Sequence, residues 1–449
     1  MQAVILAAGK SSRFRADGQN HKLLTPFFGI PILQRTLLSA RYAGIKEFVI
    51  VTGFDENKIK KLLGNGSRFG VKIKYVFNKH FYKENGLSVL AAKQEVNSPF
   101  ALLMGDDVFD PHILKEMLTT RQFNNESLLA VDYQLDKIFD LPEATKVKTD
   151  KECYIIKIGK QIQSYNAADT GIFILDKMVF NALEEAIKQG KDKLADGIEI
   201  LASWKKIKVF DVKGKYWVDV DTFSDFIVAQ QTVYNQIARG KSTDGYIAHY
   251  INRFFSTRIT AVLAKLGLSP NFITLISFSL ALLGAFLFLI PSRVMMITAG
   301  CIVQLASIID GCDGEISRLR MSMSAYGAWM DTLLDRYADV FILLTLGYTF
   351  LLSHPNLFTY LVIVFSVAGT ILTSYSTKEY KIDFGKDFEY PNRLSKTIDY
   401  LSRDVRVFII FIGALLNQLF LSVIFIAAIT NIQTVIRLVY QYPKREYLK

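Results

Sequence analysis

The sequence predicts an α/β domain with a mostly parallel sheet, followed by an all-α domain of six transmembrane helices. Three observations carry this. Short apolar runs alternate with helical patterns through the first 240 residues, runs of 20 or more residues without a charge occur only in the second half of the chain, and the basic residues gather at one set of ends of those runs. A chain of 449 residues, 51% of them hydrophobic, excludes a disordered protein. The uneven spread of those residues excludes a purely soluble one, and the length suits two or three domains.

Strands are expected at residues 2–7, 47–52, 71–77, 100–104 and 128–131, where aliphatic and β-branched residues cluster. Helical patterns at 31–42, 56–63, 87–94 and 111–119 separate them. This alternation argues for a parallel sheet with helices on both faces. Such sheets take ligands beyond the carboxyl ends of their strands. A closing helix over 222–239 and a polar, glycine-bearing cluster at 240–245 end this domain, residues 1–240.

Residues 241–271 read as a linker with an amphipathic helix at 247–266. Its Arg253, Arg258 and Lys265 suit a helix lying on a membrane surface. The membrane domain is expected over 272–449. Its first uncharged run, 272–291, has about the length that crosses a hydrocarbon core. A second span covers 294–309, and 340–377 breaks at 353–356 into a third and a fourth. The run at 407–436 supplies the end of a fifth span, which starts near Thr397, and most of a sixth. The three outer turns carry one basic residue, Arg293. The inner segments carry Arg318, Arg320, Lys378, Lys381, Lys386, Arg393, Lys396, Arg437, Lys444, Arg445 and Lys449. Positive loops stay in the cytoplasm, so both termini and both candidate sites are expected on that side of a cell membrane.

The net charge of +11 thus follows topology, and no nucleic-acid-binding signature accompanies it, which argues against a nucleic-acid partner. Cys153, Cys301 and Cys312 have no metal-ligand spacing and are too few for a disulfide framework. The first two residues run straight into VILAAG without a basic region, so no signal peptide is expected.

The first strand ends in LAAGKSSRF, residues 6–14. A glycine turn after a strand lets backbone N–H groups approach a phosphate, and Lys10, Arg13 and Lys22 are cations for the same anion. The strand at 100–104 runs into GDD, which puts Asp106 at its carboxyl end. In WVDVDTFSD, residues 217–225, Asp219 and Asp221 stand two apart on one face of a strand. Carboxylates from separate strand ends suit Mg²⁺.

Over about residues 1–235 this text resembles the sugar-nucleotidyltransferases of the cytidylyltransferase kind. LAAGKSSRF is similar to the family's LAAGxGxR loop, with Gly9, Lys10 and Arg13 matching and Ser11 in place of the second glycine. The resemblance implies a Rossmann-like nucleotidyltransferase fold, Lys22 as a phosphate lysine, and metal binding by Asp106, Asp219 and Asp221. It implies base contacts from Asn85, Gly86 and Ser88 in KENGLSV, and substrate contacts from Lys146 in EATKV and Asp169 in DTGIF. In the reaction it implies, a phosphate monoester attacks the α-phosphorus of CTP. Lys10, Arg13, Lys22 and Mg²⁺ offset the repulsion between the two anions.

The second motif is DGCDGEISRLRMSMSAYGAWMDTLLD, residues 310–335. Asp310 and Asp313 lie on one helical face, and Asp331 and Asp335 on another. Four carboxylates at span ends are costly and mark a functional site. Two divalent cations would relieve their repulsion. Gly314 and Gly327 let helices or a ligand come close. The pattern resembles the CDP-alcohol phosphatidyltransferase signature DGxxARx8GxxxDxxxD, with Ser317 in place of the usual alanine, over roughly residues 245–441. That resemblance implies that Asp310, Asp313 and Asp331 bind two metals gripping a CDP pyrophosphate. Asp335 would complete the cluster as general base, Gly314 and Arg318 would meet the nucleotide, and the protein would be a homodimer through this domain. Arg403 and Arg406 in SRDVR are costly near a span without an anion. They are candidates, with Arg258, for holding the phosphate of a charged acceptor.

The fusion of the two domains resembles the bifunctional inositol-1-phosphate cytidylyltransferase/di-myo-inositol phosphate phosphate synthase family. That resemblance implies CTP and inositol 1-phosphate giving CDP-inositol and pyrophosphate. CDP-inositol and a second inositol 1-phosphate then give a phosphorylated diester and CMP, towards a polyol osmolyte. Mg²⁺ or Mn²⁺ would serve both sites, and a lipid bilayer would surround the second. The alternative is a phospholipid synthase that makes its own CDP-headgroup and transfers it to a lipid alcohol. A third reading, a nucleotidyltransferase whose spans only tether it, leaves the four-acid spacing without a use.

Overall fold

The apolar run at the start of the chain becomes an inner strand of a nine-stranded sheet. The computed structural model describes residues 1–16, 18, 21–97, 99–120, 126–240, 247–385 and 402–441. It divides into two units, Met1–Asn235 and Gln236–Lys449. The boundary expected at 240–245 lies, but for Gly240, outside the described residues.

The first unit begins with β1 (Gln2–Ala7), α1 (Ser12–Ala16), the short ladder β2 (Pro26–Phe27) and β3 (Ile30–Pro31), α2 (Ile32–Tyr42), β4 (Glu47–Thr52), α3 (Glu56–Leu63), β5 (Lys72–Phe77) and α4 (Asn85–Ala91). There follow β6 (Phe100–Met104), β7 (Asp107–Phe109), α5 (Pro111–Thr119), β8 (Ser127–Asp132), β9 (Lys146–Thr149), β10 (Ile155–Gly159) and β11 (Ala167–Leu175). The unit closes with α6 (Met178–Lys188), α7 (Leu194–Ser203), β12 (Ile207–Asp211), β13 (Trp217–Asp219) and α8 (Phe223–Ala238), whose last residues cross into the second unit.

Strands β5, β4, β1 and β6 are parallel, with Val4 opposite both Val49 and Leu102. This is the α/β alternation read from the sequence. Beyond β6 the sheet turns mixed: β11 runs antiparallel to β6, β8 and β9, and β10 antiparallel to β9. Parallel neighbours need a crossover, usually a helix, and the chain from β8 to β11 contains no α-helix. The core sits where Val4, Leu102, Leu129 and Phe173 meet Val89 of α4, Leu183 of α6 and Ile198 of α7, all 1% exposed or less. Phe100 stacks on Phe180 with ring centroids 5.6 Å apart.

In the second unit a π-helical turn at Ala248–Asn252 leads into α9 (Arg253–Lys265). Asn252, Ser256, Thr260 and Ala264 form its buried stripe, and Phe254, Phe255 and Val262 are exposed. The bundle follows: α10 (Pro270–Leu287), α11 (Arg293–Leu319), α12 (Ala325–Ser353), α13 (Leu357–Phe384), α14 (Arg403–Leu415) and α15 (Leu419–Gln441). Side chains in the sequence start three of these helices. Ser269 before Pro270, Ser324 and Asn356 each accept a backbone N–H in the first turn. Among the described residues five helices are long and apolar enough to cross a membrane: α10 to α13, and α15 over Leu419–Val439. Helix α14 is described over 13 residues, and its expected start near Thr397 lies outside the described residues.

Close helix packing rests on small residues. A Cβ built on Gly284 of α10 would lie 2.5 Å from Val303 Cγ2, and one on Gly300 of α11 would lie 2.6 Å from Ala414 Cβ of α14. Gly300→Val is therefore expected to destabilise the bundle by about 1–3 kcal/mol. A lower thermal midpoint of the detergent-purified chain checks this, with Leu305→Val, on an exposed face of α11, leaving the midpoint unchanged.

Candidate active sites

In the first unit, β1 and β6 approach so closely that the Gly105 amide donates to the Leu6 carbonyl at 2.9 Å. A Cβ on Gly105 would lie 2.6 Å from that oxygen, so glycine is required just before the paired acids. Beyond them β7 pairs antiparallel with β13 and sets Asp219 opposite Asp107. One carboxylate oxygen each from Asp106, Asp107 and Asp219 lies within 4.8 Å of the others. Lys22 Nζ is 2.6 Å from Asp106 Oδ2 and 3.0 Å from Asp221 Oδ1, and Arg13 Nη2 is 2.6 Å from Asp221 Oδ2. Asp225 Oδ2 accepts the N–H groups of Asp221 and Thr222 at 3.1 and 2.7 Å and fixes that turn.

Two of the three acids expected here thus share a cluster, while Asp221 is tied to Lys22 and Arg13 instead. The third corner is Asp107. Sequence reasoning passed over it because nothing marks a three-residue strand pairing with residues 217–219. The Asp107 carboxylate is 4% exposed, and its Oδ2 has no hydrogen-bond partner. An all-carboxylate donor set with an unsatisfied buried oxygen fits a hard divalent cation.

The charges shift one another. Burial pulls the Lys22 pKa down, but Asp106, Asp219 and Asp221 more than reverse this and leave it above the ordinary value. Burial, then Asp219, Asp106 and Asp169, pushes Asp107 well up. Asp219 opens to solvent, yet the protein around it, with Asp106 and Asp221, pushes its pKa to about 7. Burial would raise Asp221 as well, but Lys22 and Arg13 outweigh it and hold that carboxyl low.

Around this cluster, Gly9 has open space where a Cβ would stand, and Ser11 takes φ 54°, the left-handed conformation that a glycine there would adopt easily. Lys10 Nζ lies 5.8 Å from the centre of the Phe81 ring. The three residues expected to hold the base also have partners within the protein. Asn85 Oδ1 accepts from the Leu194 N–H at 2.9 Å, the Gly86 amide donates to the Asp192 carbonyl, and Ser88 Oγ accepts from Asn78. Lys146 is drawn inward. Its ammonium donates to the carbonyls of Pro142, Ala144 and Lys160 and so clamps that loop. Asp169 sits half-buried at the register shift of β11, where its Oδ1 accepts from the Gly171 N–H at 2.8 Å.

Burial pushes the Asp169 pKa from 3.8 to about 7, against the opposing Gly171 hydrogen bond. The folded chain therefore keeps a proton that the unfolded chain releases above 3.8. The favourable contribution is full below that value and lost as pH rises through about 7. Asp169→Asn keeps the acceptor and removes the charge. It is expected to raise the thermal midpoint by ~2–4 °C at pH 8, for a gain of ~1 kcal/mol, and by less at pH 5. Thermal scans at both pH values check the sign.

In the second unit the carboxylates of Asp310, Asp313 and Asp331 come within 4.8 Å of one another, one oxygen each. Two hydroxyls of α10 orient the acids of α11: Thr274 Oγ1 donates to Asp313, and Ser277 Oγ donates to Asp310 at 3.2 Å. Asp335 stands apart from this trio. Its Oδ1 is 2.8 Å from Arg403 Nη1, which also lies 3.1 Å from Asp310 Oδ2. Arg318 Nη1 lies over Gly314, 3.2 Å from where a Cβ would be, and Gly327 starts α12 with its N–H bonded to Ser324 Oγ. Three acids from two helices again form an all-oxygen donor set that fits divalent cations.

Arg403 and Arg406 share a further carboxylate partner, Asp339, which the sequence reasoning missed. Its oxygens are 3.1 Å from Arg403 Nε, 3.3 Å from Arg406 Nη2 and 3.2 Å from Arg336 Nη1. The signal was the four-residue step from Asp335, which continues the acid spacing one turn further. Asp404 does not pair with these arginines; it accepts from Ser402 and from the Ala248 N–H. Arg258 turns back on its own helix, donating to the Phe254 carbonyl at 2.5 Å with its guanidinium 3.7 Å from the Phe254 ring centre.

Comparison with known proteins gives both units relatives. Residues 3–194 match the MobA-like NTP transferase domain, and residues 267–439 match the CDP-alcohol phosphatidyltransferase family. An archaetidylinositol phosphate synthase of Pyrococcus horikoshii is 29% identical over 42% of this chain and 90% of its own length. Proteins named bifunctional IPC transferase and DIPP synthase span both units. The one from Aquifex aeolicus is 32% identical over 99% of this chain and 98% of its own length. That from Archaeoglobus fulgidus is 34% identical over 98% and 84%. With the order of the two domains and nearly the full length shared, the chain belongs to the family of the bifunctional IPC transferase and DIPP synthases.

Proposed function

We propose that this membrane protein makes CDP-inositol from CTP and inositol 1-phosphate in its first unit and consumes it in its second. In the first step a phosphate oxygen of inositol 1-phosphate bonds to the α-phosphorus of CTP, and the bond to the β-phosphate breaks to release pyrophosphate. In the second, a hydroxyl of another inositol 1-phosphate bonds to the inositol-bearing phosphorus of CDP-inositol, and CMP leaves. The observation that carries this reading is the presence in one chain of two carboxylate trios, each with a cation fixed beside it. The single name borne by the full-length relatives, which joins the two activities, favours inositol phosphate over a lipid alcohol as the acceptor.

Divalent cations, Mg²⁺ or Mn²⁺, when held by Asp106, Asp107 and Asp219 and by Asp310, Asp313 and Asp331, supply positive charge to the phosphates. Lys22 and Arg13 bring further charge to the crowded phosphates of the first step. The attacking phosphate is already an anion, so that step requires no base. The hydroxyl of the second step does, and Asp335 takes its proton. Arg318 meets the nucleotide phosphates, and Arg403 with Arg406 meets the phosphate of the acceptor. The proposal includes a homodimer through the membrane unit.

The test is ³¹P NMR of the full-length protein with CTP, inositol 1-phosphate and Mg²⁺, without lipid. Pyrophosphate, CMP and a new phosphodiester signal are expected. Pyrophosphate with a stable CDP-alcohol would move the acceptor to a lipid alcohol, and no loss of CTP would remove inositol 1-phosphate as substrate. Asp313→Asn is expected to slow the second step by about 10²–10³-fold and let CDP-inositol accumulate. Lys22→Ala slows the first step by a similar factor, and added CDP-inositol restores diester formation.

The charge asymmetry supports a cytoplasmic position for both termini and both sites. In whole cells, an impermeant thiol reagent is then expected to label His354→Cys, in a chain cleared of other cysteines. With Cys153 as the sole cysteine it labels only after lysis. Labelling of Cys153 in intact cells would reverse the orientation.

A further inference from the structure

We propose that Asp339 is a positioning residue for acceptor recognition: it holds Arg403 and Arg406 together so that one phosphate meets both. This rests on the assignment of those arginines to the acceptor in the preceding section. Arg403 and Arg406 stand three residues apart on one face of α14. Two guanidinium charges this close repel one another, and more strongly where water is scarce. Asp339 sits between them, 6% exposed, with its two oxygens divided. Oδ1 takes Arg403 Nε, and Oδ2 takes Arg406 Nη2 together with Arg336 Nη1.

A guanidinium is planar, so two anchored edges fix its orientation. Arg403 is held through Nε by Asp339 and through Nη1 by Asp310 and Asp335. Among the described residues Asp339 is the carboxylate partner of Arg406, and it is shared with Arg403 and Arg336, so Arg406 keeps positive charge for an incoming phosphate to neutralise. Asp339 is not one of the three acids whose oxygens converge, and it lies outside the four-acid spacing. Its geometry points to the arginines alone.

The test is steady-state kinetics of the second step with full-length protein in detergent, varying inositol 1-phosphate at saturating CDP-inositol. Asp339→Asn keeps the shape and removes the charge. It is expected to raise KM for the acceptor about tenfold, with a much smaller change in kcat. Asp339→Glu, which keeps the charge, is expected to recover part of that loss, and it carries the test if Asp339→Asn does not elute as a single folded species. In an Arg403→Ala/Arg406→Ala background, Asp339→Asn is expected to add nothing to KM. A fall in kcat without a rise in KM, or a full additional effect in that background, would overturn the inference. If the double alanine variant raises KM and neither Asp339 variant does, only the role of Asp339 falls. If the double alanine variant leaves KM unchanged, the acceptor assignment falls as well.

Discussion

Both units must hold carboxylates close together, and the surrounding structure is organised by the repulsion that results. Two unit charges ~4–5 Å apart repel by about 3–4 kcal/mol at an effective dielectric near 20, and each trio contains three such pairs. The cost is set against fixed cations that the chain itself provides. Lys22, 6% exposed at its side chain, bridges Asp106 and Asp221; Arg403, 15% exposed, bridges Asp310, Asp335 and Asp339. Neither cation is at liberty on the surface, so each is oriented before any phosphate arrives.

The same electrostatic requirement is met by unlike scaffolds. In the first unit the acids arrive from strand ends, Asp106 and Asp107 at the junction of β6 and β7, and Asp219 from β13 across a short antiparallel ladder. The Gly105 approach to β1 and the Asp225 cap on the 221–222 turn hold those ends in place. In the second unit the acids come from successive turns of α11 and α12, and hydroxyls of α10 orient them. A helix fixes the spacing of its side chains by its own geometry; a strand end has to be fixed by whatever packs beside it.

That difference decides what could be read beforehand. The acids of α11 and α12 obey i,i+3 and i,i+4 spacing, so the sequence displayed their cluster directly, and α3, α5 and β6 have the limits that patterning predicts. Asp107 was hidden because its role depends on pairing with residues more than a hundred positions away. Strands β9 to β11, and the antiparallel pairing of β8 with β11, were hidden for a related reason: register between distant strands leaves no local period. Lys146 shows the converse. Its text matched a substrate-side segment, but three carbonyls of the neighbouring loops capture its ammonium. Ser11 departs from the glycine pattern in identity and keeps it in conformation, at φ 54°.

The charge balance of each site also matches the nucleophile it is proposed to serve. A phosphate oxygen attacks as an anion, so its site needs cations above all. In the first unit Lys22 and Arg13 converge on Asp221, and that carboxyl is held in its charged form. A hydroxyl attacks only as its proton departs, so its site needs a carboxylate kept outside the converging trio. Asp335 meets that description: its oxygen faces Arg403 rather than Asp313 or Asp331. Arg403 thus touches the proposed base and, through Asp339, is joined to Arg406, its partner in the pair proposed to bind the incoming phosphate. On this reading two chemically different attacks, one on the α-phosphorus of CTP and one on the inositol-bearing phosphorus of CDP-inositol, are divided between two charge environments, and each environment follows from where the chain places its cations.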